Sequence, residues 1–107
     1  MPSLDLYVQK LSAEMPVVEL KAVAQSKDGV EAETIFAKGA SGEWAAKQFP
    51  DFNSIFDLND VQANDVRICL ENMVLVFVHG DREAGYNSML QCSTSLKYRA
   101  NLSWDEV

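Results

Sequence analysis

The chain's one histidine, His79, follows an apolar run and precedes a loop rich in charged residues. Imidazole is well suited to general acid–base catalysis near neutral pH, provided that a second group orients it and a pocket holds the substrate. Asp81 and Tyr86 follow closely enough to supply such groups, so these three residues are weak candidates for a catalytic site. A lone histidine at the end of a predicted strand is more often hydrogen-bonded or exposed, and the sequence therefore favours a non-enzymatic function while leaving an enzyme open.

Other motifs with chemical meaning are incomplete. The segment KGASGEW (38–44) has glycines ahead of a predicted helix, but it lacks the spacing of a phosphate-binding loop, a dinucleotide fingerprint or a nucleophile elbow. Cys69 and Cys92 lack metal-site spacing, and one histidine cannot complete a zinc shell with them. We expect both cysteines to be buried free thiols, with a disulfide between them as the alternative that the sequence does not decide, and we predict no metal site and no cofactor.

Net charge restricts the classes of partner. The 107 residues include 16 acidic and 9 basic side chains, which gives a formal net charge of -7. Such a protein is repelled by nucleic acids and by anionic membranes, whereas it attracts basic proteins and associates with them faster. The apolar run at residues 73–78 is too short to cross a bilayer, and the chain opens without a secretory signal. We therefore expect a cytoplasmic protein with a basic protein partner, bound to neither nucleic acid nor membrane.

The stretch from Phe49 to Asp65 suits such a partner best. It contains aspartates interleaved with aromatic residues, and no lysine or arginine lies between Lys47 and Arg67. Carboxylates around aromatic anchors are typical of surfaces that dock on basic sites, although the aromatics could instead fill the core beneath solvated aspartates. With two residues from the loop after the histidine, the predicted partner-binding residues are Asp51, Phe52, Phe56, Asp57, Asp60, Asp65, Asp81 and Glu83.

These features favour a small protein-binding module that masks its partner by occlusion. In size and acidity the chain resembles bacterial immunity proteins, antitoxins and phage-encoded inhibitors, an analogy of composition that involves no shared motif. The alternative hypothesis is a small enzyme or ligand-binding domain with a pocket near His79. A homodimer is compatible with both hypotheses.

Alternation of apolar and polar residues predicts most of the strands. Leu4, Leu6 and Val8 share one face of a predicted strand, although the same segment also fits a helix. Residues 18–36 favour a hairpin that turns at residues 26–29 over a helix, since apolar residues alternate on both sides of that turn. The β-branched run at residues 73–78 predicts a central strand, joined by a loop at residues 79–88 to a strand at residues 90–98.

Helix signals are fewer. Ser41 could cap a short helix that runs to Gln48. A second helix is predicted from about Asp60 to Asn72, because apolar residues recur at helical spacing, with Asn59 or Asp60 as its N-cap. The sequence therefore predicts one globular domain, residues 1–107, of the α+β class, with a mainly antiparallel sheet and one or two helices packed on it.

Overall fold

The computed structural model describes residues 3–10, 18–79 and 97–100. These residues form an α+β fold, as predicted, in which helices pack on a sheet. The sheet has the strand order β4-β3-β2-β1-β5, in which β1 to β4 are antiparallel neighbours and β5 runs parallel to β1. In chain order the elements are β1 (Ser3–Lys10), β2 (Glu19–Ser26), β3 (Glu31–Lys38), β4 (Trp44–Ala46), α1 (Phe52–Phe56), α2 (Asp60–His79) and β5 (Lys97–Ala100).

The first three strands confirm the predicted alternation. In β1, Leu4, Leu6 and Val8 are all buried, with at most 3% of each residue exposed. Strands β2 and β3 form the predicted hairpin, in which Leu20 lies opposite Phe36 on the buried face. Alternate residues of each strand therefore share one buried face, as in an antiparallel sheet with a core on one side. Val23 of β2 is an exception, since it lies on the opposite face and is also buried.

The β2–β3 turn has the geometry that its sequence predicts. The Gly29 N–H donates to the Ser26 carbonyl oxygen at 3.0 Å, and the Ser26 N–H donates to the Val30 carbonyl oxygen at 2.9 Å. Gly29 has φ +86°, a left-handed conformation that glycine adopts without the steric cost of a Cβ. The turn holds Lys27 and Asp28 at one end of the sheet, where both are exposed.

The predicted central strand at residues 73–78 is wrong, because these residues form the last turns of α2. Met73, Val74 and Val76 are buried, whereas Leu75 is 44% exposed, and this pattern continues a helical face rather than a strand alternation. Burial of that face against the sheet outweighs the strand preference of β-branched residues. The helix thus starts where predicted but ends at His79 rather than at Asn72, and a hairpin with a first strand at residues 73–78 does not form.

The predicted helix from Ser41 to Gln48 is also wrong. Residues 39–43 form a turn, in which the Gly39 N–H donates to the Glu43 carbonyl oxygen at 2.7 Å. Residues 44–46 then pair with β3 as the short strand β4, so the backbone gains sheet hydrogen bonds instead of helical ones. By contrast, residues 52–56, which the sequence leaves irregular, form the short helix α1.

Cys69 is fully buried, as predicted, and Cys92 lies outside the described residues. The strand predicted at residues 90–98 falls mostly outside them as well, apart from Lys97 and Tyr98 in β5. In the part of the chain that the structure describes, none of the helices has the length and apolar character needed to cross a membrane.

Candidate functional site

Four phenylalanine rings form a continuous series from the sheet to the surface. Phe36 of β3 contacts Phe49 edge-on at a centroid distance of 6.0 Å, and Phe49 lies 6.3 Å from Phe52. Phe52 in turn stacks on Phe56 at 6.2 Å with an interplanar angle of 14°. Phe52 is fully buried and belongs to the core, so its predicted place among partner-binding residues needs correction. Phe56 ends the series and is half-buried.

A side-chain cap at one end and a left-handed residue at the other define the limits of α1. Asp51 caps the first turn, where its Oδ1 accepts from the Ser54 N–H at 3.3 Å and its Oδ2 accepts from the Ser54 hydroxyl at 2.9 Å. At the other end, Asp57 has φ 53° and ψ 54°, and its N–H donates to the Asn53 carbonyl oxygen. Within the described residues Asp57 is the one non-glycine residue with positive φ. This left-handed residue ends α1 and redirects the chain toward α2.

The link between the two helices is held by Asn53. Its Nδ2 donates to the Leu58 carbonyl oxygen at 3.1 Å and to Asp60 Oδ1 at 2.9 Å. We call residues 51–60 the α1 corner. Its three carboxylates, those of Asp51, Asp57 and Asp60, all belong to exposed residues.

A cleft of about 510 Å³ separates the α1 corner from the β2–β3 turn, and we call it the end cleft. Its apolar wall includes Val30, which is 45% exposed, Ile55, which is 38% exposed, and the half-buried Phe56. Asp28 and Lys27 contribute charge from the turn, and Asp57 contributes it from the end of α1. A volume of this size is typical of concave sites that hold a ligand.

The end cleft carries two carboxylates that the described structure leaves without an ion pair. Among the described residues the ion pairs join Lys21 to Glu33 and Lys47 to Glu19, and both lie away from the cleft lining. Asp28 and Asp57 are both exposed, so their carboxylates are accessible to solvent. They belong to different elements, and the lining they share with Val30 and Ile55 is both acidic and apolar.

Two predicted partner-binding aspartates differ in their positions. Asp60 is exposed at the start of α2, whereas Asp65 is 8% exposed and has an Oδ2 atom without a hydrogen-bond partner. Asp65 is therefore part of the helix–sheet interior and offers little surface to a partner, which corrects its sequence-based assignment.

The end cleft is not the pocket that the sequence suggests near His79. His79 is the last residue of α2, and a helix from residue 60 to residue 79 is about 28 Å long. The α1 corner adjoins the first residue of this helix, so the cleft and His79 lie at opposite ends of α2. Asp81, Glu83 and Tyr86 lie outside the described residues.

Sequence reasoning missed the half of the cleft that the β2–β3 turn supplies. The sequence predicts Asp28 as a residue of the turn at 26–29 and Val30 as an inward-facing residue of the strand that follows. Neither the turn residues nor the strand alternation indicates that these two residues share a cleft with residues 54–57. No group of three or more potential metal-ligating side chains occurs in the described part of the chain. Comparisons with protein-family models, curated proteins and solved structures found no match for this chain.

Proposed function

We propose that this protein is a cytoplasmic binding module that masks a basic protein partner, with the end cleft and the α1 corner as its contact surface. The observation that carries the proposal is the end cleft, whose lining combines the exposed apolar residues Val30 and Ile55 with the acidic residues Asp28 and Asp57. An apolar centre with a charged rim is the usual composition of a protein–protein contact surface.

The charge distribution supports a basic partner rather than an acidic one. The chain has a formal net charge of -7, and the α1 corner adds Asp51 and Asp60 beside the carboxylates of the cleft. Complementary charges accelerate association and select orientation, and exposed charges are screened by salt. Binding should therefore slow as ionic strength rises, and the partner would be inhibited because its basic site is covered.

Capture from native lysate at low salt tests the proposal when matched charge variants are compared. The cleft variant is Asp28→Asn/Asp57→Asn, and the control variant is Glu43→Gln/Glu71→Gln. Each removes two carboxylates, so the net charge changes from -7 to -5 in both cases. Both control positions are exposed and lie outside the cleft lining. Asparagine tolerates the left-handed backbone of Asp57, so the cleft variant should keep its fold.

We expect wild type and the control variant to capture the same basic protein in stoichiometric amount, with release by a salt wash. The cleft variant should capture about a tenth as much, as expected from loss of two charge-assisted contacts. Equal loss in both variants would show that net charge alone attracts the partner. Equal retention in both variants would place the binding surface elsewhere, and either result contradicts the proposal.

A further inference from the structure

We propose that the end cleft receives an arginine side chain, so that the masked site of the partner contains an exposed arginine. This inference rests on the proposed function and assigns its ligand chemistry. It is carried by the lining of the cleft, to which the aromatic residue Phe56 and the acidic residues Asp28 and Asp57 all contribute.

Phe56 joins the aromatic series to the end cleft. Its ring lies nearly parallel to that of Phe52, with 14° between the planes and 6.2 Å between the centroids. Phe56 also lines the end cleft, and it is half-buried rather than enclosed. A planar guanidinium can stack on such a ring and gain cation–π attraction, whereas an ammonium is compact and strongly hydrated.

The carboxylates of the cleft suit the forked geometry of guanidinium. Asp28 projects from the β2–β3 turn and Asp57 from the end of α1, so the two acceptors belong to different elements that border one cleft. Guanidinium presents five N–H donors in one plane and can therefore donate to two carboxylates while its face rests on an aromatic ring. Val30 and Ile55 offer apolar surface to the aliphatic stem of the arginine side chain.

Lys27 supplies an internal check on this assignment. It lines the same cleft, and it takes part in neither ion pair found among the described residues. Its ammonium repels an incoming cation, so its removal should strengthen binding of arginine. If the ligand were an anion, removal of the Lys27 charge would weaken its binding instead.

NMR titration of the isotope-labelled full chain tests the inference with Nα-acetyl-L-arginine amide as the probe. Nα-acetyl-L-lysine amide carries the same charge and is the matched comparison. We expect saturable amide shifts at residues 26–30 and 54–57, with the arginine probe bound about threefold tighter than the lysine probe. Asp57→Asn should weaken arginine binding about fivefold and Lys27→Gln should strengthen it about twofold, because each changes one charge at the cleft. Glu43→Gln should leave binding unchanged.

Three results would overturn the inference: equal affinity for the two probes, unsaturable shifts, or the same response in Asp57→Asn and Glu43→Gln. Phe56→Leu keeps an apolar side chain and gives a second test, since it should reduce the preference for arginine over lysine. If lysate capture depends on the cleft while the probes bind alike, the arginine inference fails and the proposed function stands. If the arginine probe binds as expected while the cleft variant captures as much partner from lysate as wild type does, the proposed function fails instead.

Discussion

Asn59 and Gln62 cap the start of α2 reciprocally. Asn59 Oδ1 accepts from the Gln62 N–H at 2.8 Å, and the Asn59 N–H donates to Gln62 Oε1 at 3.0 Å. This capping box satisfies two backbone donors at the helix terminus. Because Asp60 follows directly and bonds to Asn53, the same arrangement sets where the α1 corner joins α2.

Loss of this cap should destabilise the protein. We expect Asn59→Ala to lower the free energy of unfolding by about 1 kcal/mol, because the backbone donors of the first turn lose their side-chain acceptor. Asn64→Ala is the control, since Asn64 is exposed within α2 and alanine favours a helix interior by about half a kcal/mol. Urea denaturation, monitored by circular dichroism, measures the free energy of unfolding of both variants. Equal stability of the two variants would contradict a capping role for Asn59.

Asp57 holds a backbone conformation that favours glycine. We expect Asp57→Gly to be more stable than Asp57→Ala by about 1 kcal/mol, because a Cβ is strained at φ 53°. The same denaturation measurement compares the two variants. Both lack the carboxylate, so the proposed function predicts that both bind the basic partner equally weakly. A glycine variant no more stable than the alanine variant would show that the left-handed conformation carries no strain.

Phe52 should contribute to stability rather than to partner contact. It is fully buried between Phe49 and Phe56, so Phe52→Ala removes ring contacts and opens a cavity. We expect a loss of about 3–5 kcal/mol in the free energy of unfolding. Ile55→Ala, on the neighbouring residue that is 38% exposed, should cost about 1 kcal/mol or less. Thermal and urea unfolding measure both variants. A loss of stability in Phe52→Ala no larger than that in Ile55→Ala would argue against the core position of Phe52.

Tyr7 should make stability depend on pH in the alkaline range. Burial raises its pKa above the ordinary 10.0, and Glu31, which accepts its hydroxyl hydrogen bond at 3.5 Å, adds to the rise together with Glu33. The folded state thus holds the phenol proton more tightly than the unfolded state. The stability that the Tyr7 phenol contributes to the folded state is fully present below pH 10.0 and is lost as pH rises through the folded-state pKa.

The variant Tyr7→Phe isolates this effect from the titration of lysines. We expect the stability of wild type to fall more steeply above pH 10.0 than that of Tyr7→Phe, when both are measured by urea unfolding. Ultraviolet titration should show one tyrosine that ionises late and is absent from the variant. Parallel pH profiles for the two proteins would refute the linkage.

Local patterns in the sequence predicted much of the fold. The period-two burial of Leu4, Leu6 and Val8 and the turn at Gly29 depend on neighbouring residues and on one-sided burial. The cap of α2 is likewise a local feature. Of the two residues predicted for it, Asn59 and Asp60, Asn59 is the one whose side chain accepts from the N–H three positions away. These elements were predicted correctly because their determinants lie within a few residues of one another.

The run at residues 73–78 shows where local preference misleads. Its β-branched residues favour a strand, yet Met73 and Val76 continue the buried face of a helix that already packs on the sheet. Similarly, Trp44–Ala46 becomes a strand because β3 offers an edge for pairing. In both cases the deciding contact is with an element distant in sequence, so the local pattern does not contain it.

The candidate site depends still more on tertiary structure. The sequence by itself determined an acidic chain with aspartates and phenylalanines concentrated between residues 49 and 65. It did not determine that Phe52 enters the core while Phe56 reaches a cleft, nor that Asp65 is buried. Only the tertiary structure brings Asp28 to the same cleft as Asp57, because the ring contacts from Phe36 of β3 through Phe49 to Phe52 fix where α1 lies relative to the sheet.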